Sequence, residues 1–214
     1  MMRVNNFLTY LTNKLEFNAR QTAYFMDDRS FQGGWEVWLQ CNIGFAFYTD
    51  GGNWVLIREA PYIQPNVGAR IDYLSYNRNN DPQVAVVNNA QDAARADFKM
   101  YRVRGLADTT YVELKCKRSN EGQMAVAQRF NDDIQKTLAL TQAGQGQIAT
   151  FALLCTYTDF GQEFTNSMKS INLNFGKTLV IYQLQKGWSQ VEPLSQRAQL
   201  PNPVTAIMGY AILA

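Results

Sequence analysis

The sequence of 214 residues contains no histidine. Without an imidazole there can be no Ser-His-Asp triad, no Cys-His pair, no His-ligated zinc site and no nuclease centre of the HNH type. Any catalysis must therefore use carboxylates, lysine, tyrosine or a hard metal ion. This single absence excludes whole classes of hydrolytic mechanism.

The sequence also lacks a strong charge of either sign. Its 20 Lys and Arg residues against 18 Asp and Glu residues give a net charge of +2, which is too small to predict nucleic-acid binding from bulk electrostatics. Apolar residues make up 46% and charged residues 18% of the chain, a balance typical of a well-packed globular protein. Because no repeat or linker marks a second unit, we expect one domain over residues 1–214.

Cysteines are few, and long apolar runs are missing. Cys41, Cys116 and Cys155 are widely spaced in apolar sequence, which favours reduced, buried thiols and a cytoplasmic location over a disulfide framework. The longest apolar stretches, such as Ile148 to Cys155, are shorter than a membrane span, and the first residues lack the apolar core of a signal peptide. We therefore expect a soluble protein that does not contact a membrane.

Hydrophobic periodicity predicts alternating strands and helices, and hence a mixed α/β sheet flanked by helices. Helices are expected at residues 4–15, 35–43, 122–140 and 160–171, with a further Ala-rich helical piece at 90–98. Strands are expected at residues 54–59, 68–76, 110–117, 148–157 and 178–184, and the second of these is expected to pair with the first. A β-hairpin ending at Gly52 is the competing interpretation of residues 35–43, because aromatic residues also favour strands.

These elements divide the chain into three parts. Residues 1–32 are expected to form an N-terminal helical extension, and residues 189–214 a C-terminal tail. The core is expected at residues 33–188, with an insertion at about 77–107 that forms a loop over the edge of the sheet.

Two predicted strands carry residues that suit phosphodiester chemistry. Alternation in the strand 110–117 places Glu113, Lys115 and Lys117 on one face. Asp72 lies in the strand 68–76, and on a neighbouring strand its carboxylate would share a face with Glu113 and Lys115. Clustered carboxylates hold a divalent cation, and lysine orients a water molecule or stabilises a pentavalent phosphate. The competing interpretation is a solvent-exposed face with cross-strand ion pairs.

The order of these segments resembles that of the PD-(D/E)XK superfamily of nucleases and nuclease-like proteins. The resemblance covers residues 33–140 and rests on the segments GGWEVWLQ, REAPY, RIDYL and VELK, in the order helix, strand, strand, strand, then helix. It implies a restriction-endonuclease-like core in which Asp72 and Glu113 ligate Mg²⁺ or Mn²⁺. Lys115 would position water or stabilise the transition-state charge, and Glu36 would support the metal or its water.

Further residues enter as weaker candidates within the same resemblance. Gln40 lies four residues after Glu36 and therefore on the same helical face, and together with Lys117 and Arg118 it is a candidate for substrate binding. The sequence departs from the superfamily pattern before Asp72, where Ile71 takes the place of proline. The long segment between the two strands leaves Asp97 as an alternative first acid.

The function that the resemblance implies is metal-dependent hydrolysis of nucleic acid, DNA ahead of RNA, in a bacterial toxin effector or a defence nuclease. The alternative is a nuclease-like protein without catalysis that binds a protein partner, such as an immunity or inhibitor protein. The small net charge favours the alternative, because a nucleic-acid groove is usually more basic. A homodimer is compatible with either function.

Overall fold

The computed structural model describes residues 10, 34–49, 54–64, 71–78, 83–103, 105–118, 121–144, 149–156, 162–174, 179–185, 192–193 and 207–213. The helices in these ranges are α1 (Gly34–Thr49), α2 (Gln123–Ala143) and α3 (Gln162–Asn174). The strands are β1 (Trp54–Pro61), β2 (Ile63–Gln64), β3 (Asp72–Asn77), β4 (Gln83–Val87), β5 (Arg95–Arg102), β6 (Gly105–Cys116), β7 (Ala149–Thr156), β8 (Leu179–Gln185), β9 (Glu192–Pro193) and β10 (Ile207–Leu213).

The strands form a large mixed sheet and a small antiparallel one. The large sheet has seven strands in the order β1-β5-β6-β7-β10-β8-β9, and β6 and β7 are its parallel pair. A parallel pair needs a crossover connection, and α2 provides it. The small sheet has the order β2-β3-β4 and is inserted between β1 and β5 in the sequence. The predicted α/β class with a mixed sheet flanked by helices is therefore confirmed.

Helix α2 packs on the large sheet through a stripe of apolar residues. Val126, Phe130 and Ile134 are four residues apart, lie on one helical face and are fully buried. They form one cluster with Ala152 and Leu154 of β7 and with three residues of α3, namely Phe164, Met168 and Ile171. Full burial of a side chain such as Phe130 contributes about 1.5–3 kcal/mol, so this cluster holds α2 in a defined position over β6 and β7.

Helix α1 confirms the helical interpretation of residues 35–43 and excludes the competing hairpin. Its inner face buries Leu39 and Ile43 completely, and the helix contacts β1 and β6. Its outer face is also apolar, because Val37, Phe45 and Tyr48 are 52%, 66% and 85% exposed. None of the described helices is long and apolar enough to span a membrane.

The predicted partner of β1 is wrong. Residues 68–76 were expected to pair with the strand at 54–59, but β1 pairs with β5, and residues 72–77 belong to the small sheet as β3. The predicted helix at 90–98 is also wrong, since β5 begins at Arg95. Ala96, Phe98 and Met100 are buried in alternation, which is the two-residue period of a strand. Residues 95–102 and 105–107 therefore belong to the sheet and not to an insertion.

The prediction for the C-terminal segment is wrong, and the prediction for the N-terminal segment lies almost entirely outside the described residues. The segment predicted as a C-terminal tail contains β10, an interior strand between β7 and β8. The predicted N-terminal helix lies outside the described residues except for Tyr10, which is helical and donates a hydrogen bond to the carbonyl of Ala46 at 2.8 Å. Among the cysteines, Cys116 is buried as expected, whereas Cys41 is exposed.

Candidate functional site

The pairing of β5 with its two neighbouring strands is interrupted at Asp97, and we call this interruption the opening of the sheet. Glu59 of β1 lies opposite Asp97 but is skipped in the pairing of the two strands. The pairing of β5 with β6 runs only as far as Phe98 and Val112. Glu59 has a φ of 50°, which is uncommon for a residue other than glycine. Backbone strain of this kind concentrates at functional sites, so the opening at Asp97 is a candidate for one.

Two carboxylates bind the backbone of β6 where β5 leaves it. The N–H of Leu114 donates to Oδ2 of Asp97 at 2.6 Å, and the N–H of Cys116 donates to Oε2 of Glu36 at 3.4 Å. Residues two apart in a strand direct their N–H groups to the same side, so both acids lie along the same edge of β6. The structure therefore brings Glu36 of α1 and Asp97 of β5 to one site.

Gln40 connects these acids to β1. Its amide nitrogen donates to Oδ1 of Asp97 at 2.9 Å, and its amide oxygen accepts from Arg58 at 2.8 Å. Gln40 is 4% exposed. Both ends of the amide are bonded within the protein, so in this structure Gln40 orients Asp97; its role in substrate binding stays a prediction.

The carboxyl group of Asp97 is poised to exchange a proton near neutral pH. Burial raises its pKa from 3.8 to about 7, and the negative charges of Glu113 and Glu36 add to this effect, while the hydrogen bond from Leu114 opposes it. The carboxylates of Glu113 and Glu36 therefore lie close enough to Asp97 for their charges to act on it.

Glu113 is buried in β6 and bonded on its α2 side. It is 5% exposed; its Oε1 accepts a hydrogen bond from the hydroxyl of Tyr62 at 2.8 Å and lies 2.7 Å from Nζ of Lys136. Burial raises the pKa of Glu113, and the charge of Lys136 opposes this. The interpretation of this strand face as solvent-exposed is therefore wrong at Glu113.

Lys115 lies on the same face of β6 and is paired with α2. Its Nζ is 3.1 Å from Oδ2 of Asp133. Burial alone lowers the pKa of Lys115, but the charges of Asp133 and Glu36 outweigh burial and raise it. Lys115 is therefore a protonated ammonium held between carboxylates.

Helix α2 contributes three charged residues that the sequence reasoning missed. Asp133 and Lys136 contact Lys115 and Glu113, and Arg129 contacts Glu36 at 3.8 Å. Arg129, Asp133 and Lys136 each precede a buried residue of α2 by one position, and this spacing could have identified them from the sequence. Charged residues at helical spacing beside an apolar stripe lie at the margin of the packed face and can reach groups on the sheet.

An open cavity of about 230 Å³ leads to this network from one side. It is lined by Tyr76, Arg78, Ala94, Asp132, Asp133 and Lys136. Arg78 of the segment after β3 forms an ion pair with Asp132. The cavity therefore lies between the small sheet and α2, and Lys136 connects it to Glu113.

Asp72 is not part of this arrangement. It lies in β3 opposite Gln64 of β2, and the neighbours of β6 are β5 and β7. The expectation that Asp72 and Glu113 lie on adjacent strands is therefore wrong. Asp97, the alternative first acid, lies on β5, which is a neighbour of β6.

The two basic candidates after β6 differ in exposure. Lys117 is 6% exposed, and its Nζ donates to the carbonyl of Arg118 at 3.4 Å. Arg118 is exposed, and its backbone N–H donates to Glu121 at 3.2 Å. Only Arg118 presents its side chain to solvent, where a substrate phosphate could reach it.

The described part of the chain contains no group of three or more Asp, Glu or Cys side chains arranged to hold a metal ion. Asp97, Glu113 and Glu36 nevertheless carry oxygen atoms, the donor type that a hard cation prefers, and positive charge would relieve the repulsion that Glu113 and Glu36 exert on Asp97. No protein-family model, curated protein or solved structure matches this chain.

Proposed function

We propose that this chain is a metal-dependent phosphodiester hydrolase with a PD-(D/E)XK-type core in which Asp97, and not Asp72, is the first acid. The observation that carries the proposal is the opening of β5 from β6. At this opening Asp97 and Glu36 bind the edge of the strand that bears Glu113 and Lys115. A carboxylate on one strand next to a carboxylate-x-lysine on its neighbour is the pattern that the resemblance requires.

The order of the surrounding elements supports the same core. Along the chain, α1 is followed by β1, β5, β6, α2 and β7, with the small sheet inserted after β1. The first three of these strands are antiparallel neighbours, and β7 is parallel to β6. This order of helix, three strands and helix is compatible with the proposed core if β5 takes the place that the resemblance gave to residues 68–76.

In this proposal Asp97 and Glu113 would hold Mg²⁺ or Mn²⁺, supported by Glu36. When bound, such a cation neutralises charge on the phosphate and lowers the pKa of a water molecule. Gln40 keeps the carboxylate of Asp97 oriented through its 2.9 Å hydrogen bond. A lysine ammonium supplies further positive charge for the phosphate, a role that the resemblance gives to Lys115.

The proposed substrate is nucleic acid, DNA ahead of RNA, and Arg118 is a candidate for a phosphate contact outside the site. A role as a toxin effector or a defence nuclease, a cytoplasmic location and a homodimer stay predictions from the sequence.

The test is cleavage of supercoiled plasmid, linear duplex, single-stranded DNA and RNA with Mg²⁺ or Mn²⁺. Asp97→Asn and Glu113→Gln should each lower the rate by about 100-fold or more, because each removes a carboxylate that would hold the metal ion. Asp72→Asn is the matched control, an identical substitution outside the site, and should cleave within about twofold of the wild type. A wild-type protein without activity, or an Asp97→Asn protein that retains full activity, would refute the proposal.

A second candidate function is binding of a protein partner, such as a toxin or an immunity protein, without catalysis. It is favoured by the internal pairing of the site, where Glu113 is bonded to Lys136 and Lys115 to Asp133. The exposed apolar residues Phe45 and Tyr48 of α1 offer a surface of the kind that partners cover. An inactive wild-type protein whose melting temperature does not change with Mg²⁺, Mn²⁺ or Ca²⁺ would favour this function.

A further inference from the structure

We propose that Lys136 of α2, and not Lys115 of β6, is the cation that contacts the phosphate of the substrate. This inference rests on the proposed hydrolase function and concerns the same site. The sequence resemblance gives the contact with the phosphate to Lys115, the lysine of the carboxylate-x-lysine motif. We assign this contact to Lys136 instead.

The two lysines differ in where they face and not in how exposed they are. The side chains of Lys115 and Lys136 are 20% and 19% exposed. Lys136 lines the open cavity between the small sheet and α2, and Lys115 is not among the lining residues. The cavity of about 230 Å³ holds several times the roughly 30 Å³ that one water molecule takes up in the liquid. It can therefore admit a phosphate group beside Lys136.

The contacts of Lys136 make its charge available once a cation binds at Glu113. Its Nζ contacts Oε1 of Glu113 at 2.7 Å and donates to the carbonyl of Arg95 at 2.9 Å. It also lies 5.7 Å from the centre of the Tyr62 ring. Of these three partners, Glu113 alone bears a negative charge.

Asp133 also acts on Lys136, but its carboxylate is paired with Lys115. A metal ion at Glu113 would therefore leave the ammonium of Lys136 without an anion in direct contact, which is costly for a poorly hydrated charge. A phosphodiester in the cavity would supply that contact.

Lys115, in contrast, is already matched by an anion that the proposed metal site does not involve. Its Nζ is 3.1 Å from Oδ2 of Asp133 of α2. Asp133 is 16% exposed and would be left buried and unpaired if Lys115 turned to a substrate. Lys115 is therefore a positioning residue that ties α2 to β6.

The experiment compares Lys136→Met with Lys115→Met, a matched pair of substitutions that keep a long apolar side chain. Binding of a fluorescent oligonucleotide is measured by anisotropy with Ca²⁺, and kcat and KM are measured with Mg²⁺. Lys136→Met should weaken binding by about tenfold and lower kcat by about 100-fold. Lys115→Met should bind within about twofold of the wild type and should have a lower melting temperature, because Asp133 loses its partner.

A third variant keeps the test decisive if Lys136→Met does not fold. Glu113→Gln with Lys136→Met removes both charges of the buried pair, which is tolerated better than removal of one. Compared with Glu113→Gln alone, the double variant should bind the oligonucleotide about tenfold more weakly. Equal binding by these two proteins would overturn the inference.

The outcomes separate this inference from the proposed function. Oligonucleotide binding that depends on Lys136 without any cleavage would refute the hydrolase and support the phosphate contact. Cleavage that is lost in Lys115→Met but kept in Lys136→Met would support the hydrolase and overturn the assignment of Lys136. A wild-type protein that binds no oligonucleotide would overturn the inference directly.

Discussion

Replacement of Asp97 by asparagine should stabilise the metal-free protein above neutral pH and destabilise it near pH 4. Burial raises the pKa of Asp97 from 3.8 to about 7, so in this pH range the folded state binds more protons than the unfolded state. The free energy of unfolding of the wild type therefore falls as pH rises from about 4 to about 7. At about 1.4 kcal/mol for each pKa unit, the full loss from this group is roughly 4 kcal/mol.

An asparagine side chain does not ionise, so the variant avoids the loss of stability caused by the buried charge. The substitution also changes two hydrogen bonds. Asp97 accepts from Leu114 and Gln40, one bond to each carboxylate oxygen, and an asparagine amide offers only one acceptor oxygen. Loss of one such bond costs about 1–3 kcal/mol. The variant should therefore be less stable than the wild type by that amount near pH 4, and more stable by roughly 1–3 kcal/mol at pH 8.

The measurement is urea denaturation followed by tryptophan fluorescence in EDTA, at one-unit steps from pH 4 to pH 8. The informative quantity is the difference in unfolding free energy between variant and wild type, because contributions of other titrating groups largely cancel in it. A difference that stays constant across this range would show that the pKa of Asp97 is not raised in the folded protein. Unchanged circular dichroism of the variant at each pH is the control for an intact fold.

Two further substitutions test the packing around the site. Tyr62→Phe removes the hydroxyl that donates to Glu113 and should lower the free energy of unfolding by about 1–2 kcal/mol; an unchanged melting temperature would show that Lys136 alone satisfies the carboxylate. Phe130→Ala leaves a cavity beneath α2, where the ring is fully buried, and should cost about 3–5 kcal/mol in urea denaturation. A cost below about 1 kcal/mol would contradict the packing of α2 on β7.

The helices α1 and α2 and the strand β6 could be predicted because their signals are local. The residues Val126, Phe130 and Ile134 recur at the helical period, and alternation in β6 correctly places Glu113 and Lys115 on one face, as their contacts with α2 show. Each of these patterns depends on the geometry of one element and needs no information about its neighbours.

The strand β5 was missed because its local propensity and its tertiary role disagree. Residues 90–98 are rich in alanine, which favours a helix, yet Ala96 and Phe98 are buried between β1 and β6. Burial of this face of β5 outweighs a preference of a few tenths of a kcal/mol per residue. Because residues 90–98 were predicted to be helical, Asp72 and not Asp97 was expected to be the first acid of the site.

The sequence by itself determined which chemistries this chain can support: no histidine mechanism, a helix with Glu36 and Gln40 on one face, and a strand with Glu113 and Lys115 on another. Only the tertiary structure decided which residues meet them, bringing Asp97 from β5 and Lys136 from α2. Side-chain direction within an element follows from its local period. Strand neighbours and helix docking follow from burial and hydrogen bonding among distant segments, which no local pattern contains.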